Sequence, residues 1–445
     1  ATAAAEAMTM AHRFTKGKRG NRIFVSDLCH AHSIALLKTR AQPIDIEVVI
    51  GDHRTIDITD GFYAAIVQYP DTEGSVHDYK ELFEKLHQNN GIAIVATDIM
   101  ALTKLTPPGE FGADIVIGNT QRFGVPLGYG GPHAAFLATH DDKKWARHMP
   151  GRIIGVSTDA DGNKALRMAL QVREQHIKRQ KATSNICTAQ ALLANVASMY
   201  AVWHGPEGLL KMADRMHSHV LTLAQSLREA GYQVNNNVIF DTLTVVVDAE
   251  QKKAIQERAA QNEINYRYGQ HSITIAFDET TSTSDVADVC ETFACSVIED
   301  INTTNAIAGS SLKRTSSFLD HSIFHAHRSE TEMMRYLHYL EMKDLALNKA
   351  MIPLGSCTMK LNAATEMIPI TWSGFGGIHP YAPKDQALGY AQLFDDLELW
   401  LADITGFDAI SLQPNAGSQG EYAGLLSIRQ YHASRNESYR NICLI

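Results

Sequence analysis

The chain has 445 residues, 45% of them hydrophobic and 20% charged, with a formal net charge of −9. That length exceeds a single core and predicts two or three domains, and an acidic balance without a long Lys/Arg block excludes a general nucleic-acid binder. No apolar run approaches the roughly 18–20 residues of a membrane helix, and the six cysteines form no CxxC pair, so neither a zinc site nor a disulfide framework is indicated.

In chain order, ATAAAEAMTMAHRF is a helix of strong formers that starts without a cap. NRIFVS, IEVVIG, AAIVQYP, GIAIVATD and DIVIGN read as short strands bounded by turn residues. Between them, HDYKELFEKLHQN sets Tyr79, Leu82, Phe83 and Leu86 on one helical face. Strands alternating with helices predict an α/β unit with a largely parallel sheet covered on both faces.

A long helical region is expected from ALRMALQVREQHIKRQ through TAQALLANVASMYAVWHG, with Arg173 to Lys181 as a solvated helix face. An amphipathic helix ending at Gly231 follows. Residues 232–300 read strand, strand, helix, strand, strand, helix, a compact α+β unit. INTTNAIAGSSLKRTSS reads as a linker. Beyond it the α/β style resumes, with helices in ETEMMRYLHYLEMKDLAL, DDLELWLADITG and after NAGSQG, and strands in DAISLQP and NICLI. The expected division is a large α/β domain at 1–205, a small α+β domain at 206–300, a linker and helix at 301–340, and the start of a second large domain at 341–445. Both ends read as cut.

The resumption points to a repeat at domain scale. An offset of 420 positions lays Ala423, His432 and Asn441 on Ala3, His12 and Asn21. The shared order is a small-residue helix, a basic polar loop and an apolar strand.

Asp98 ends one predicted strand, and Asn119 and Arg122 follow the next, ahead of glycines at 124, 128, 130 and 131. Ligands collect at the carboxyl ends of strands in such sheets. A carboxylate at one strand end and a basic residue beside a glycine-rich loop at its neighbour is the layout of a pyridoxal phosphate site. A lysine is needed there to condense with the cofactor aldehyde; a guanidinium stays protonated and has no free amine. The loop therefore has the shape of a cofactor site without its chemistry, or is a loop packed at an interface.

NAGSQGEYAG places Ser418 ahead of a helix, where free N–H groups can hold a phosphate or simply cap a turn. IPLGSCTMKLN brings Cys357 close to Lys360, which reads either as an activated thiol or as an inert buried one. His321, His325 and His327 lack an ordered ligand set, so no metal site is expected. His379 either lines a pocket or caps a turn.

Five segments carry a resemblance: GNTQRFGVPLGYGGPHAAF, RMALQVREQHIKRQKATSNICTAQALLA, HRSETEMMRYLHYLEMKDLAL, IPLGSCTMKLNAATEMIP and QPNAGSQGEYAGLL. Together they resemble glycine decarboxylase of bacterial type, the pyridoxal-phosphate P-protein of the glycine cleavage system, along essentially the whole chain. The resemblance implies two homologous halves of the aspartate-aminotransferase fold (fold type I), of which only the second holds cofactor.

In the family's active half the lysine follows Asn-Leu-His and precedes Thr-Phe. Here Asn119-Thr120-Gln121-Arg122-Phe123 stands in that place, and Asp98 resembles the aspartate facing the pyridine nitrogen. With the repeat offset, the functional lysine belongs near position ~540. Ser356, Cys357 and Thr358 resemble the substrate-side segment, joined by His379, and Gly417, Ser418, Gln419 and Gly420 resemble the phosphate-side turn. The implied activity is decarboxylation of glycine and transfer of the aminomethyl group to the lipoyl arm of H-protein, by a cytoplasmic homodimer or two-half assembly. The alternative is a non-catalytic scaffold supporting a separate cofactor-bearing chain. Lys181, Cys187 and the Arg173–Arg179 stripe receive no role beyond packing and surface charge.

Overall fold

The computed structural model describes residues 1–15, 20–59, 61–182, 191–298, 307–343, 346, 349 and 363–444. Its centre is a six-stranded sheet in the order β2-β1-β3-β4-β5-β6. The strands are β1 (Arg22–Ser26), β2 (Glu47–Gly51), β3 (Phe62–Tyr69), β4 (Ile92–Asp98), β5 (Ile115–Asn119) and β6 (Ala135–Thr139). The first five are parallel, and β6 is antiparallel to β5. All eight residues of β3 are buried, because a central parallel strand is covered on both faces and gains nothing from polar alternation.

One face packs on α1 (Thr2–Thr15) and α2 (Ala31–Ala41), through Met8, Met10, Ile23, Val25, Leu37 and Ile94. The other packs on α3 (Lys80–Gln88), through Tyr79, Phe83 and Leu86, with Leu82 at the margin. The strands and helices expected for this part are thus present. His12 Nε2 bonds Asn21 Oδ1 at 2.9 Å, tying α1 to the start of β1. Two of the three identities at the repeat offset, His432 and Asn441, therefore fall on a contacting pair.

The long helix expected from residue 165 is different. β7 (Ile153–Thr158) and β8 (Lys164–Ala169) form an antiparallel hairpin with six paired positions. A single turn, α4 (Lys143–Ala146), precedes the hairpin; among the described residues between the hairpin and Leu192 the α-helix is the single turn α5 (Gln175–Lys178), and from Leu192 the expected helix is present. Arg173 is not on a solvated face. It is buried, and its guanidinium donates to the carbonyls of Met149 (2.6 Å) and Gly151 (2.7 Å). Ala, Leu, Arg and Met favour helix locally, but the cross-strand ladder overrides so weak a preference.

Helix α6 (Leu192–Glu229) then runs to the expected end beside Gly231. It kinks at Gly205-Pro206, where Gly205 has φ +57°. A Cβ at Gly205 would overlap the Arg328 guanidinium, which clips the kink by donating to the carbonyls of Trp203 and His204.

A four-stranded sheet, β11-β12-β10-β9, forms the smaller unit from β9 (Gln233–Val234), β10 (Thr242–Val246), β11 (Arg267–Tyr268) and β12 (Ser272–Ala276). Helices α7 (Ala249–Gln261) and α8 (Thr283–Thr292) cover it, each opened by a capping box, Asp248 with Gln251 and Ser282 with Asp285. The strand-helix order matches the expectation for residues 232–300. Past it, the described part of the linker lies against the large sheet's core: Ile307 is buried and Thr106 donates to the Leu312 carbonyl at 2.7 Å.

The last elements are helical: α9 (Glu330–Glu341), the turns α10 (Ala364–Met367) and α11 (Ser373–Gly376), α12 (Leu388–Thr405) and α13 (Gly417–Ser434). DAISLQP and the described part of NICLI are not strands. A strand is defined by hydrogen bonds to a neighbour, and among the described residues neither segment has one. Leu393, Trp400 and Ile404 on α12, and Leu425 and Ile428 on α13, are exposed.

Candidate functional site

Asp98 and Asn119 are paired positions at the carboxyl ends of β4 and β5. The loop after β5 turns tightly because Asn119 Oδ1 accepts from the Gln121 N–H at 2.6 Å. That turn sends Arg122 back across the strand ends, so the structure brings Asp98 and Arg122 together as expected. Arg122 Nη1 donates to Asp98 Oδ2 at 2.9 Å.

Two further carboxylates, absent from the sequence reading, complete the arrangement. Arg122 Nη1 also donates to Asp241 Oδ2 at 2.6 Å, and Nε donates to Glu279 Oε1 at 2.7 Å. Asp241 immediately precedes β10 and Glu279 follows β12, so both lie at one end of the small sheet's two central strands. Their separation from Arg122, 119 and 157 residues along the chain, left no local signal. The one available hint was an acidic residue at each end of a predicted strand pair. The face of Phe240 lies 5.8 Å from the guanidinium carbon.

One guanidinium is thus shared by three carboxylates from two sheets. The Arg122 side chain is 14% exposed and that of Asp241 13%. Burial works against the charge on Arg122, but Asp98, Asp241 and Glu279 outweigh it and hold its pKa well above the ordinary value. Burial pushes the Asp241 carboxyl up, reinforced by Asp98 and opposed by Arg122. The cage holds more negative charge than one cation neutralises, so the carboxylates depend on the guanidinium.

This site does not fit pyridoxal phosphate. The group beside Asp98 is a guanidinium bonded on three sides, with no amine to condense and no room left against the Asp98 carboxylate.

The remaining candidates lie elsewhere. His379 is exposed, and its Nδ1 accepts from the Tyr381 N–H at 3.1 Å, which is the turn-capping arrangement. Gly417 to Gly420 form the first turn of α13, so Ser418 lies inside the helix rather than ahead of it. The N–H groups of Gln419 and Gly420 donate to the Ala416 carbonyl, each at 3.0 Å. That turn and His379 share no hydrogen bond among the described residues. Ser356, Cys357, Thr358, Lys360 and Cys187 lie outside the described residues.

The histidines near residue 325 are each engaged singly: His321 caps Ile323 N–H (3.2 Å), His325 pairs with Glu207 (3.5 Å) and His327 stacks on Tyr336 (4.3 Å). No helix among the described residues is long and apolar enough to cross a membrane.

A family model described as the glycine cleavage system P-protein matches residues 1–293. Glycine dehydrogenase (decarboxylating) of Nostoc punctiforme is 52% identical over 457 residues, covering 100% of this chain and 46% of the relative. The protein of the same name from a Nostoc sp. strain is 54% identical over 456 residues, with 100% and 46% covered. The chain therefore spans about half the length of the curated relatives it matches.

Among solved structures, a glycine decarboxylase (P-protein) of the glycine cleavage system, in inhibitor-bound form, superposes with a TM-score of 0.57 at 28% identity. The match covers 66% of this chain and 68% of that one. The shared architecture is the fold type I, aspartate-aminotransferase-like arrangement expected from the sequence, a mostly parallel large sheet with a small α+β unit. On the family match and the similarity of the whole chain to part of its cyanobacterial relatives, the chain belongs to the glycine cleavage system P-protein family.

Proposed function

We propose that this chain is part of a glycine dehydrogenase (decarboxylating), supplying a non-catalytic first copy of the fold and the start of a second. The observation that carries this reading is the Arg122 cage. The position where the family's active half has its lysine is filled by a permanently charged group, bonded to Asp98, Asp241 and Glu279. The first copy is thereby a scaffold, and that cation is one of the ties between its two sheets.

In the longer protein, pyridoxal phosphate would supply the electron sink that lets glycine lose carbon dioxide. The second copy would carry it. The Gly417–Gly420 turn would place the N-terminus of α13 against the phosphate, with Ser356, Cys357, Thr358 and His379 on the substrate side. The longer protein would hand the aminomethyl group to the lipoyl arm of H-protein, whose disulfide would be reduced. The division at 205, 300 and 340, a homodimeric or two-half assembly, and a place in the bacterial cytoplasm complete the proposal.

The test is cofactor fixation and activity in parallel. The 445-residue chain is incubated with pyridoxal phosphate, reduced with borohydride, desalted and weighed intact. It is also assayed for glycine-dependent exchange of labelled bicarbonate with lipoylated H-protein, alone and with a chain covering the remaining half of the relatives. The reading expects no covalent cofactor on the 445-residue chain and activity only in the combined sample. Cofactor fixed on a single peptide of this chain, Lys360 first among the candidates, would overturn it.

A further inference from the structure

The glycine-rich loop, without a lysine to serve, makes contacts that the cofactor reading does not use. Tyr129 sits at its tip in left-handed backbone, φ +53°, a conformation that costs a non-glycine residue energy and persists only when its surroundings fix it. Those surroundings come from the second copy. The Tyr129 N–H donates to the Ile378 carbonyl at 2.9 Å. Its ring stacks on Tyr390 with centroids 4.7 Å apart and planes at 27°, and lies 6.0 Å from Phe394.

Tyr390 is itself fixed. Its hydroxyl donates to the Phe375 carbonyl at 2.9 Å, and its ring meets the edge of Phe375 at 5.8 Å. On either side of the stack the two segments come close. A Cβ on Gly130 would lie 3.5 Å from Pro380, and one on Gly376 would lie 3.4 Å from Pro126 and 2.9 Å from the Ile370 carbonyl. Gly376 is buried there. The residues gripped directly, Ile378 and Pro380, flank His379.

We propose that the glycine-rich loop at residues 124–132 is a clasp whose partner is the segment 375–394 of the same chain, with Tyr129 as its key. The loop trades cofactor chemistry for inter-copy attachment. Gly124, Gly128 and Gly130 take positive φ and turn the loop, Tyr129 supplies a stacked aromatic and one backbone hydrogen bond, and the turn bearing His379 is held from both sides. Two weaker contacts, Asn265 Nδ2 to Gln386 Oε1 at 2.7 Å and Arg40 over the Tyr422 ring at 5.4 Å, steady the same body without touching the loop. The clasp stands apart from the proposed activity, because its test needs neither cofactor nor substrate.

The experiment is hydrogen exchange on the 445-residue chain, wild type against Tyr129→Ala, Tyr129→Phe and Tyr390→Ala. An aromatic pair contributes enough that its loss should speed opening roughly 2- to 12-fold. The clasp predicts that acceleration at the amides of Leu388–Phe394 in both alanine variants, with β3 and β4 unchanged and Tyr129→Phe like wild type. Unchanged exchange at Leu388–Phe394 in both alanine variants would overturn it. So would equal acceleration in β3 and β4, which reports general destabilisation. Because Tyr390 lies outside the first copy's core, Tyr390→Ala keeps the test alive if Tyr129→Ala fails to fold.

Discussion

Replacing Arg122 by methionine keeps most of the stem's volume and removes the cation. It leaves Asp98, Asp241 and Glu279 facing one another with side chains 29%, 13% and 19% exposed. Removing one partner of a buried ion pair costs roughly 3–5 kcal/mol. Water reaches Asp98 and Glu279 in part, which places the expected loss near the lower end, about 3 kcal/mol. The loss has a sign in pH. Burial already raises the Asp241 carboxyl with Arg122 opposing, so without the guanidinium it rises further. A group whose folded pKa exceeds its unfolded value favours the fold at low pH, and that contribution is lost as pH rises through the folded pKa. The variant's deficit should therefore be largest near neutral pH and shrink in mild acid. Urea unfolding at pH 7.5 and pH 5, read separately in each sheet by hydrogen exchange, measures it; Arg122→Met with Asp241→Asn should recover part of the loss. A deficit below about 1 kcal/mol, the worth of an exposed pair, or one independent of pH, would refute the cage.

Gly205→Ala should cost on the order of 2 kcal/mol, because φ +57° disfavours a Cβ and that Cβ would collide with both the Arg328 guanidinium and the Phe324 carbonyl; thermal unfolding checks it, and Arg328→Ala in the same background should recover only part of the loss, because the carbonyl and the backbone conformation remain. His53 gives a pH slope. Burial, then repulsion from His77, lowers its pKa to about 4, so the unfolded chain takes up a proton that the folded one refuses as pH falls from the ordinary histidine value. Stability should drop by on the order of 2 kcal/mol across that window, and His53→Gln should remove that part of the slope in a stability-versus-pH series.

What the sequence disclosed follows from where each element draws its partners. β3 and β4 are apolar along their length because both faces are covered, and Tyr79, Phe83 and Leu86 recur at helical spacing because α3 buries one stripe. Such patterns are local and can be read. β8 could not be, since KALRMA is composed of good helix formers and becomes a strand through pairing with β7. DAISLQP carries the apolar character of a strand, but pairing requires a neighbour that the described residues do not include. At the site, Asp98 and Arg122 were legible because adjacent parallel strands end at one edge. Asp241 and Glu279 were not, because the small sheet's placement is a tertiary fact. The same holds for Tyr129, an ordinary loop tyrosine until its ring is seen against Tyr390.

The cage also decides whether one substitution could make a cofactor site of this position. Arg122→Lys supplies the residue type that condenses with an aldehyde and keeps Asp98. Yet condensation with an aldehyde needs a neutral amine, and lysine begins with a pKa of about 10.4. Each opposite charge nearby raises it, by about 1–3 units for a close partner, and Asp98, Asp241 and Glu279 all converge on this position. At pH 8 the neutral fraction falls from roughly one part in 250 for a free lysine to less than one in a thousand with a single such partner. Arg122→Lys should therefore fold, with a small loss of stability from its single-point charge, and gain no borohydride-fixed cofactor by intact mass. Arg122→Lys combined with Asp241→Asn and Glu279→Gln leaves only Asp98 to hold up the amine and opens the ring's place. If the single substitution alone fixes cofactor at position 122, the carboxylates do not control the charge there, and the account of this site as electrostatically closed fails.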